Sequence, residues 1–470
     1  MEQRDIGLIG LAVMGQNLVL NIVNHGFSMA VYNRTAERTQ EFIQGKGSRK
    51  EIQGTYSLED FTAALSCPRR IILMVKAGGP VDAFIEQLKP HLESGDIVMD
   101  AGNSHFQDTE RRAAELEGQG IHYLGMGVSG GEKGALQGPS IMPGGPEEAY
   151  EHVKPILTEI AAKVDGEPCC TYIGPKGSGH YVKMVHNGIE YGIMQLIAET
   201  YEIMKTGLEL SPGRLAEVFD SWNAGELNGY LMEITARILA RVDPETDKPL
   251  VEVILDSAQQ KGTGKWTSQN AFDLGVPIPT INAAVEARII SAYKAERTAA
   301  AKVFEGPGPT RGQDKDKWIA RLRDALHASV ITSYAQGLAL IRAASKEYGY
   351  DIKLDEVAKI WRGGCIIRAA MLKPIRAAYR KNPALTNLMM DAAFRERLNS
   401  LHSNWRRVVA MAAERGLPGL ALSASLGYYD MYRRERLPAN LTQAQRDFFG
   451  AHTYQRVDRE GVFHTVWEEE

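Results

Sequence analysis

Near residue 179 the chain changes periodicity, and that change constrains its architecture more than any single motif. From Asp5 to about Gly174, short apolar runs alternate with helix-like segments. IGLIG, SMAVYN, RIILMVKAGG, DIVMDAGN, HYLGMGVSGG and CTYIG read as strands that end in turn residues, and AVMGQNLVLNIVNHG reads as a helix. Such alternation implies a mainly parallel sheet with helices on both faces. Pro80 after Gly78-Gly79 and Pro146 after Gly144-Gly145 mark helix starts. Beyond Gly179 the strand signals largely vanish. Helical periodicity then runs to about Arg434, broken at Ser211-Pro212-Gly213 and Gly306-Pro307-Gly308-Pro309.

A chain of 470 residues exceeds the size of one core, so two or more domains are expected. No run approaches the roughly 20 apolar residues that span a bilayer, so no membrane segment is expected. The opening MEQRDIGLIG carries early charges and passes straight into a strand, unlike a signal peptide. A net charge of −4 argues against a general nucleic-acid binder, though a local cationic pocket for a small anion remains open. Cys67, Cys169, Cys170 and Cys365 show no C-x-x-C spacing. Buried structural thiols in a reducing cytoplasm are the expectation.

The first strand–helix turn is Gly10-Leu11-Ala12-Val13-Met14-Gly15, a G-x-A-x-x-G variant of the dinucleotide fingerprint. Gly10 permits the tight turn, Gly15 permits close helix–strand packing, and the small Ala12 leaves room for a pyrophosphate at the helix N-terminus. The second strand ends in Asn33-Arg34-Thr35 where an NAD site has an acid. Arginine attracts a 2′-phosphate, and Asn33 and Thr35 add hydrogen-bond donors, so NADP is expected as cofactor. A surface arginine in a polar turn is the plainer alternative. Val75-Lys76-Ala77 and Asn103 follow the third and fourth strands, at the carboxyl ends where ligands bind. Ser129-Gly130-Gly131 ends another strand and offers a hydroxyl and backbone N–H groups to a carboxylate. The expected fold is an α/β Rossmann domain (1–177), a large all-α domain (178–434) and an extended C-terminal tail (435–470).

In the helix that follows, Lys183, His186, Asn187, Glu190 and Tyr191 stand at i, i+3, i+4, i+7 and i+8, on one face. A core-facing stripe there would be apolar. Two readings remain: a solvated helix face, or a base and an acid two turns apart, about 10 Å between Cα atoms, acting on different atoms of one substrate.

The helical region contains a repeat. Leu215-x-Glu217-Val218-x-x-x-Trp222-x-x-Gly225 recurs as Leu354-x-Glu356-Val357-x-x-x-Trp361-x-x-Gly364. Two related units, about 178–310 and 311–434, are expected to pack as a pair. The second has Leu322 in place of Lys183 and is expected to be scaffold. Lys261 and Thr263 lie in QKGTGKWT, an anion-binding composition without true phosphate-loop spacing. Arg288 lies on an otherwise apolar helix and needs a partner, either a protein carboxylate or a substrate phosphate. The aromatic-rich tail carries Arg446 and His452 around Phe448-Phe449-Gly450, and its composition fits docking on a second subunit.

In order along the chain, GLAVMG, YNRT, MVKAGG, DAGNS, GVSGGEKGA, GPSIMPGG, KMVHNGIEYG, QKGTGKW and FGAHTYQR together resemble the 6-phosphogluconate dehydrogenases. These are decarboxylating enzymes of the pentose phosphate pathway and of gluconate utilization. The likeness covers nearly the whole chain. It implies an NADP-binding Rossmann domain, an all-helical domain and a cytoplasmic homodimer whose tails reach into the partner's active site. Lys183 matches the family's general base and Glu190 its general acid. Ser129, Gly130, Gly131, His186 and Asn187 match contacts near the substrate carboxylate and hydroxyls. Tyr191, Lys261, Thr263 and Arg288 match the phosphate end, with Arg446 and His452 supplied from the other subunit. No metal is implied. The implied reaction converts 6-phospho-D-gluconate to ribulose 5-phosphate and carbon dioxide. A non-decarboxylating β-hydroxyacid dehydrogenase and a silent NADP-binding scaffold are the competing readings.

Overall fold

The computed structural model describes residues 3–260, 262–307 and 314–467. Its first part alternates strand and helix: β1 (Ile6–Ile9), α1 (Val13–Asn24), β2 (Met29–Tyr32), α2 (Ala36–Gln44), β3 (Ile52–Gly54), α3 (Leu58–Ala63), β4 (Arg70–Leu73) and α4 (Gly79–Leu88). It continues through β5 (Ile97–Asp100), α5 (Phe106–Glu117), β6 (His122–Ser129), α6 (Gly131–Gln137), β7 (Ser140–Gly144) and α7 (Glu147–Ile160). The sheet order is β3-β2-β1-β4-β5-β6-β7. All neighbours are parallel except β7, which runs antiparallel to β6 with Gly125 opposite Gly144 and Ser129 opposite Ser140. β1, β4 and β5 are near-continuous apolar runs, and Ile6, Leu8, Ile9, Ile71, Ile72, Leu73, Ile97 and Val98 are all buried. That pattern suits interior parallel strands covered on both faces. The chain is thus a Rossmann-like domain followed by a large helical domain.

Two details depart from the sequence reading. CTYIG forms no strand; residues 169–174 run beside β7 with isolated bridges at Ile141–Cys170 and Gly144–Gly174. The strand at this edge is instead SIMPG, which is not among the expected strands. The cysteines are free as expected, but Cys67 is exposed; the other three are buried.

The helical part comprises α8 (Ser178–Glu202), α9 (Pro212–Asn223), α10 (Tyr230–Leu239), α11 (Leu250–Val253), α12 (Thr263–Asp273), α13 (Pro279–Ala292) and α14 (Lys294–Ala300). It proceeds through α15 (Lys315–Tyr348), α16 (Leu354–Ile360), α17 (Leu372–Lys381), α18 (Ala392–Glu414), α19 (Leu420–Tyr432) and α20 (Ala439–Gly450). Of the expected break at 306–309, Gly308 and Pro309 lie outside the described residues. Ser211 caps α9 and Asp314 caps α15, each accepting a first-turn N–H.

The longest helices, α8 and α15, pack against each other where small residues allow close approach. A Cβ on Gly192 would lie 2.5 Å from Ser333 Oγ, and one on Gly337 would lie 2.5 Å from Ile189. Leu322 sits in this helical core, fully buried. The two copies of the repeated motif fall on α9 and α16, each following one of the long helices.

α8 also presses onto the sheet. A Cβ on Gly179 would lie 2.2 Å from Gly125 O and 2.3 Å from Met142 O, and one on Gly127 would lie 2.5 Å from Lys183 Cβ. Side chains at Gly179 or Gly127 would push the helix away. The four glycines Gly125, Gly127, Gly144 and Gly179 therefore bring the polar face of α8 against the carboxyl end of β6.

Candidate active site

The dinucleotide turn lies at the point where strand order reverses, between β1 and β4. That is the crevice where ligands bind in open α/β sheets. Gly10 has φ +108°, and a Cβ there would lie 2.4 Å from Met74 O. A Cβ on Gly15 would lie 1.9 Å from Gly10 O, so strand and helix meet backbone to backbone. The N-terminus of α1 has no side-chain cap, and Ala12 and Val13 are exposed, with Leu11 and Gly15 buried and Met14 between. Uncapped N–H groups opening onto solvent fit a pyrophosphate.

Asn33 is occupied differently from the expectation of a free donor. Its Oδ1 accepts Leu11 N–H at 3.0 Å and its Nδ2 donates to Thr35 O at 3.1 Å. It braces the two turns, leaving Arg34 and Thr35 exposed at the rim. Lys76 is exposed beside half-buried Val75 and Ala77.

The polar face of α8 is buried. Lys183 is 6% exposed and His186 fully buried, with Asn187 and Tyr191 also buried. Glu190 keeps a partly open side chain. The solvated-face reading is therefore excluded. Lys183 Nζ donates to Asn187 Oδ1 at 2.9 Å, and His186 Nδ1 donates to the same oxygen at 3.1 Å. With its proton on Nδ1, His186 presents Nε2 as acceptor to the Ser129 hydroxyl at 3.4 Å. Asn187 Nδ2 reaches Asn103 Oδ1 at 3.4 Å, joining the helix to the loop after β5. Gly130 and Gly131, both at positive φ, follow Ser129 into α6.

Burial dominates the electrostatics. It lowers the Lys183 amine, against the opposing influence of Glu190 and the Cys365 thiol. It raises the Glu190 carboxyl, against Lys183 and Arg288. It also holds His186 well below the ordinary imidazole value, with Lys183 adding to the effect. An amine pushed toward neutrality and a carboxyl pushed toward its acid form on one helix face have the protonation tendencies that suit a base and an acid.

At the other end of the face, the Arg288 guanidinium stacks on the Tyr191 ring 3.3 Å from its centroid. It also reaches Gln259 O at 3.4 Å and Met194 Sδ at 3.5 Å. Among the described residues no carboxylate pairs with it. Thr263 opens α12 after Gly262, and a Cβ on Gly264 would meet the Tyr191 ring at 2.6 Å, so this turn seats directly on Tyr191. Lys261 lies outside the described residues. Arg446 and His452 are exposed on α20 and the turn after it, contacting Gln443 and Phe449 respectively.

Several supporting residues were not read from the sequence. Asp100, fully buried at the end of β5, accepts Gly102 N–H at 3.0 Å, the Ser104 hydroxyl at 2.5 Å and the Tyr123 hydroxyl at 3.1 Å. Arg112, also fully buried, lies 3.5 Å from Asp100 and donates to Asp82 at 2.7 Å, Gly78 O at 3.2 Å and Ser104 at 3.4 Å. One guanidinium thus ties the loop after β4 to the loop carrying Asn103. His180, one turn before Lys183, donates from Nε2 to Asp100 O at 3.0 Å and meets Thr109 Oγ1 at 2.6 Å. The second repeat, expected to be scaffold, also borders the site. Its Trp361 stands edge-on to His186 with centroids 5.6 Å apart, and a Cβ on Gly130 would lie 2.6 Å from Gly364 O. The end of the repeated motif walls the site because α16 delivers it there.

Known proteins match this chain over nearly its whole length. The family model for the NAD binding domain of 6-phosphogluconate dehydrogenase matches residues 5–174, and that for its C-terminal domain matches residues 179–467. A decarboxylating 6-phosphogluconate dehydrogenase of Synechococcus elongatus is 58% identical, covering 99% of this chain and 100% of the relative. An NADP(+)-dependent, decarboxylating relative from Bacillus subtilis is 57% identical, over 99% and 100%. The Plasmodium falciparum 6-phosphogluconate dehydrogenase, solved in its apo form, with its cofactor NADP+ and with its substrate 6-phosphogluconate, superposes with a TM-score of 0.95. It is 48% identical over 98% of this chain and 100% of that one.

Proposed function

The chain belongs to the 6-phosphogluconate dehydrogenase family, and from that premise we propose that it oxidatively decarboxylates 6-phospho-D-gluconate to D-ribulose 5-phosphate with reduction of NADP. The observation that carries this reading is the buried Lys183–Asn187–His186 cluster facing the Asn103 loop at the cofactor end of the sheet.

The turn Gly10–Gly15 would hold the pyrophosphate, Arg34 and Thr35 the adenosine 2′-phosphate, and Val75, Lys76, Ala77 and Asn103 the nicotinamide side. NADP, when bound, supplies the hydride acceptor. Lys183, lowered by burial, takes the proton of the substrate's C3 hydroxyl as C3 is oxidised. Asn187 and His186 orient the amine, and Ser129 with the Gly130 and Gly131 N–H groups holds the carboxylate. The resulting ketone lies β to that carboxylate. The Lys183 ammonium returns its proton to the ketone oxygen as carbon dioxide leaves, and the electrons of the broken C1–C2 bond form an enediol. Glu190, raised by burial, then protonates the carbon that lost carbon dioxide (C2 of the substrate, C1 of ribulose 5-phosphate), while Lys183 takes back the enediol hydroxyl proton. Acid and base stand two turns apart because they serve different carbons.

The stacked Tyr191–Arg288 pair, Thr263 and Lys261 hold the phosphate. In a cytoplasmic homodimer, Arg446 and His452 of each tail complete the phosphate end of the neighbouring site. The working division is a cofactor domain at 1–177, a helical domain at 178–434 and an exchanged tail at 435–470. An assay of NADP reduction with phosphorylated and unphosphorylated aldonates, with gas evolution followed in parallel, tests this function. NADPH and carbon dioxide in equal amounts from 6-phosphogluconate are expected. NADPH without carbon dioxide would point to a non-decarboxylating dehydrogenase.

A further inference from the structure

The C-terminal tail is built around a charge. The only buried residue of α20 is Asp447, whose side chain is fully enclosed. What covers it is the tail's own return. Asp447 Oδ1 accepts Thr453 N–H at 2.9 Å and His464 Nδ1 at 2.9 Å. Its Oδ2 accepts Thr465 N–H at 3.1 Å and Trp467 Nε1 at 2.9 Å. Every acceptor site of the carboxylate is directed at residues 453–467, a segment closed on itself by the Tyr454–Phe463 bridge. Meanwhile Phe448 and Phe449 on α20 are 53% and 73% exposed.

The turn this clasp closes is strained at a particular place. Ala451 and Thr453 both adopt left-handed backbone, with φ +50° and +59°, although neither is glycine. For a β-branched residue such as Thr453 this conformation is a true outlier and persists only where surrounding contacts impose it. Here the imposing contacts are visible. Ala451 N–H donates to Asp447 O at 2.9 Å, and Thr453 N–H to the Asp447 carboxylate. The residue held between the two strained positions is His452.

We propose that Asp447 is a positioning residue for the phosphate end of the reaction: its four-donor clasp presets the tail as a rigid unit that displays His452, and with it Arg446, before a substrate arrives. The inference rests on the proposed role of His452 and Arg446 at the neighbouring site. A twelve-residue helix and a short return are marginal alone. A carboxylate satisfied on all sides supplies the order that an apolar core would otherwise supply, and preorganisation lowers the entropy lost on binding.

The test is steady-state kinetics of the full-length dimer carrying Asp447→Asn, with 6-phosphogluconate and with gluconate as substrates. An amide in place of the carboxylate turns an N–H₂ toward two of the four donors. The expected result is a KM for 6-phosphogluconate raised about ten-fold or more, with kcat and the KM for NADP within about two-fold. The kcat/KM for gluconate, which lacks the phosphate, should stay unchanged. Equal losses on both substrates, or none on either, would overturn the proposal.

Mixed dimers give a second readout. A dimer pairing an Asp447→Asn chain with a Lys183→Met chain has one site whose lysine is intact and whose neighbouring tail keeps Asp447. It should show a wild-type KM for 6-phosphogluconate at about half the wild-type rate. A KM no better than that of the Asp447→Asn homodimer would count against the tail's acting across the interface. His452→Ala separates the two levels of the argument. If His452→Ala raises the KM for 6-phosphogluconate while Asp447→Asn does not, the clasp is refuted and the role of His452 stands. If neither substitution does, the role of His452 falls as well.

Discussion

Lys183 and Asn187 share a hydrogen bond of 2.9 Å across one turn of α8, and the same Asn187 oxygen accepts from His186. This shared acceptor fixes the lysine on the buried face of α8 while burial disfavours its charge. Activity should therefore rise with pH as Lys183 loses its proton, with the midpoint below the ordinary lysine value of 10.5. Asn187→Ala frees the amine and should lower kcat about ten- to hundred-fold with a smaller change in the KM for NADP. A pH series of kcat/KM on the two proteins checks both statements.

Glu190 is displaced in the other direction, toward its protonated form. In its proposed role as the acid that protonates C1 of the ribulose product, it should impose a fall in activity as pH rises through its raised midpoint. Glu190→Gln should slow turnover by about 10² or more while leaving 6-phosphogluconate binding largely intact. The fall assigned to Glu190 should also disappear. Binding measured by fluorescence titration, beside turnover, separates the two effects. A Gln variant with unaltered turnover contradicts the assignment.

Arg34 stands exposed at the end of β2, where an acid would favour NAD. Arg34→Asp should weaken NADP binding by about ten-fold or more and leave NAD within a few-fold. Equal weakening of both cofactors, measured by titration, would remove the 2′-phosphate assignment.

Arg112 and Asp100 are both fully buried, and each satisfies several backbone or hydroxyl groups of the two loops at the cofactor end. Arg112→Met should cost about 3–5 kcal/mol of stability, because Asp100 is left as a buried charge without its partner. Adding Asp100→Asn should recover part of that loss. Hydrogen bonding to Arg112 helps hold Asp82 at about 2. A depressed carboxyl contributes stability that is full above the unfolded value of 3.8 and is lost as pH falls toward 2. Denaturant unfolding of the single and double variants decides the matter, and a cost under about 1 kcal/mol would show the brace to be dispensable.

The architecture was legible where physics repeats along the chain. Apolar strand runs ending in Gly10, Gly78 and Gly102 gave the parallel sheet, and the i, i+3, i+4, i+7, i+8 set gave the polar face of α8. What sequence periodicity could not tell was whether that face met water or protein. The answer lies in Gly125, Gly127, Gly144 and Gly179, four small residues scattered over three elements, whose common purpose appears only once β6, β7 and α8 meet. SIMPG was missed as a strand because its Pro and Gly are turn formers, tolerated at a sheet edge. The Asp82–Arg112–Asp100 brace and the Asp447 clasp were hidden for another reason. Single charged residues far apart in sequence carry no period, and an acid in a polar helix looks solvated until its donors are seen. Trp361 was visible as part of a repeat, but its contact with His186 depends on how the two copies pack.

The central claim is that Lys183, desolvated and bonded to Asn187, takes the proton that must leave C3 for oxidation to proceed. The most direct measurement is single-turnover NADPH formation by Lys183→Met, with NADP and 6-phosphogluconate at saturation and binding of both verified. Formation slowed by about 10⁴ or more, with both ligands still bound, is the predicted result. NADPH appearing within about ten-fold of the wild-type rate would contradict it.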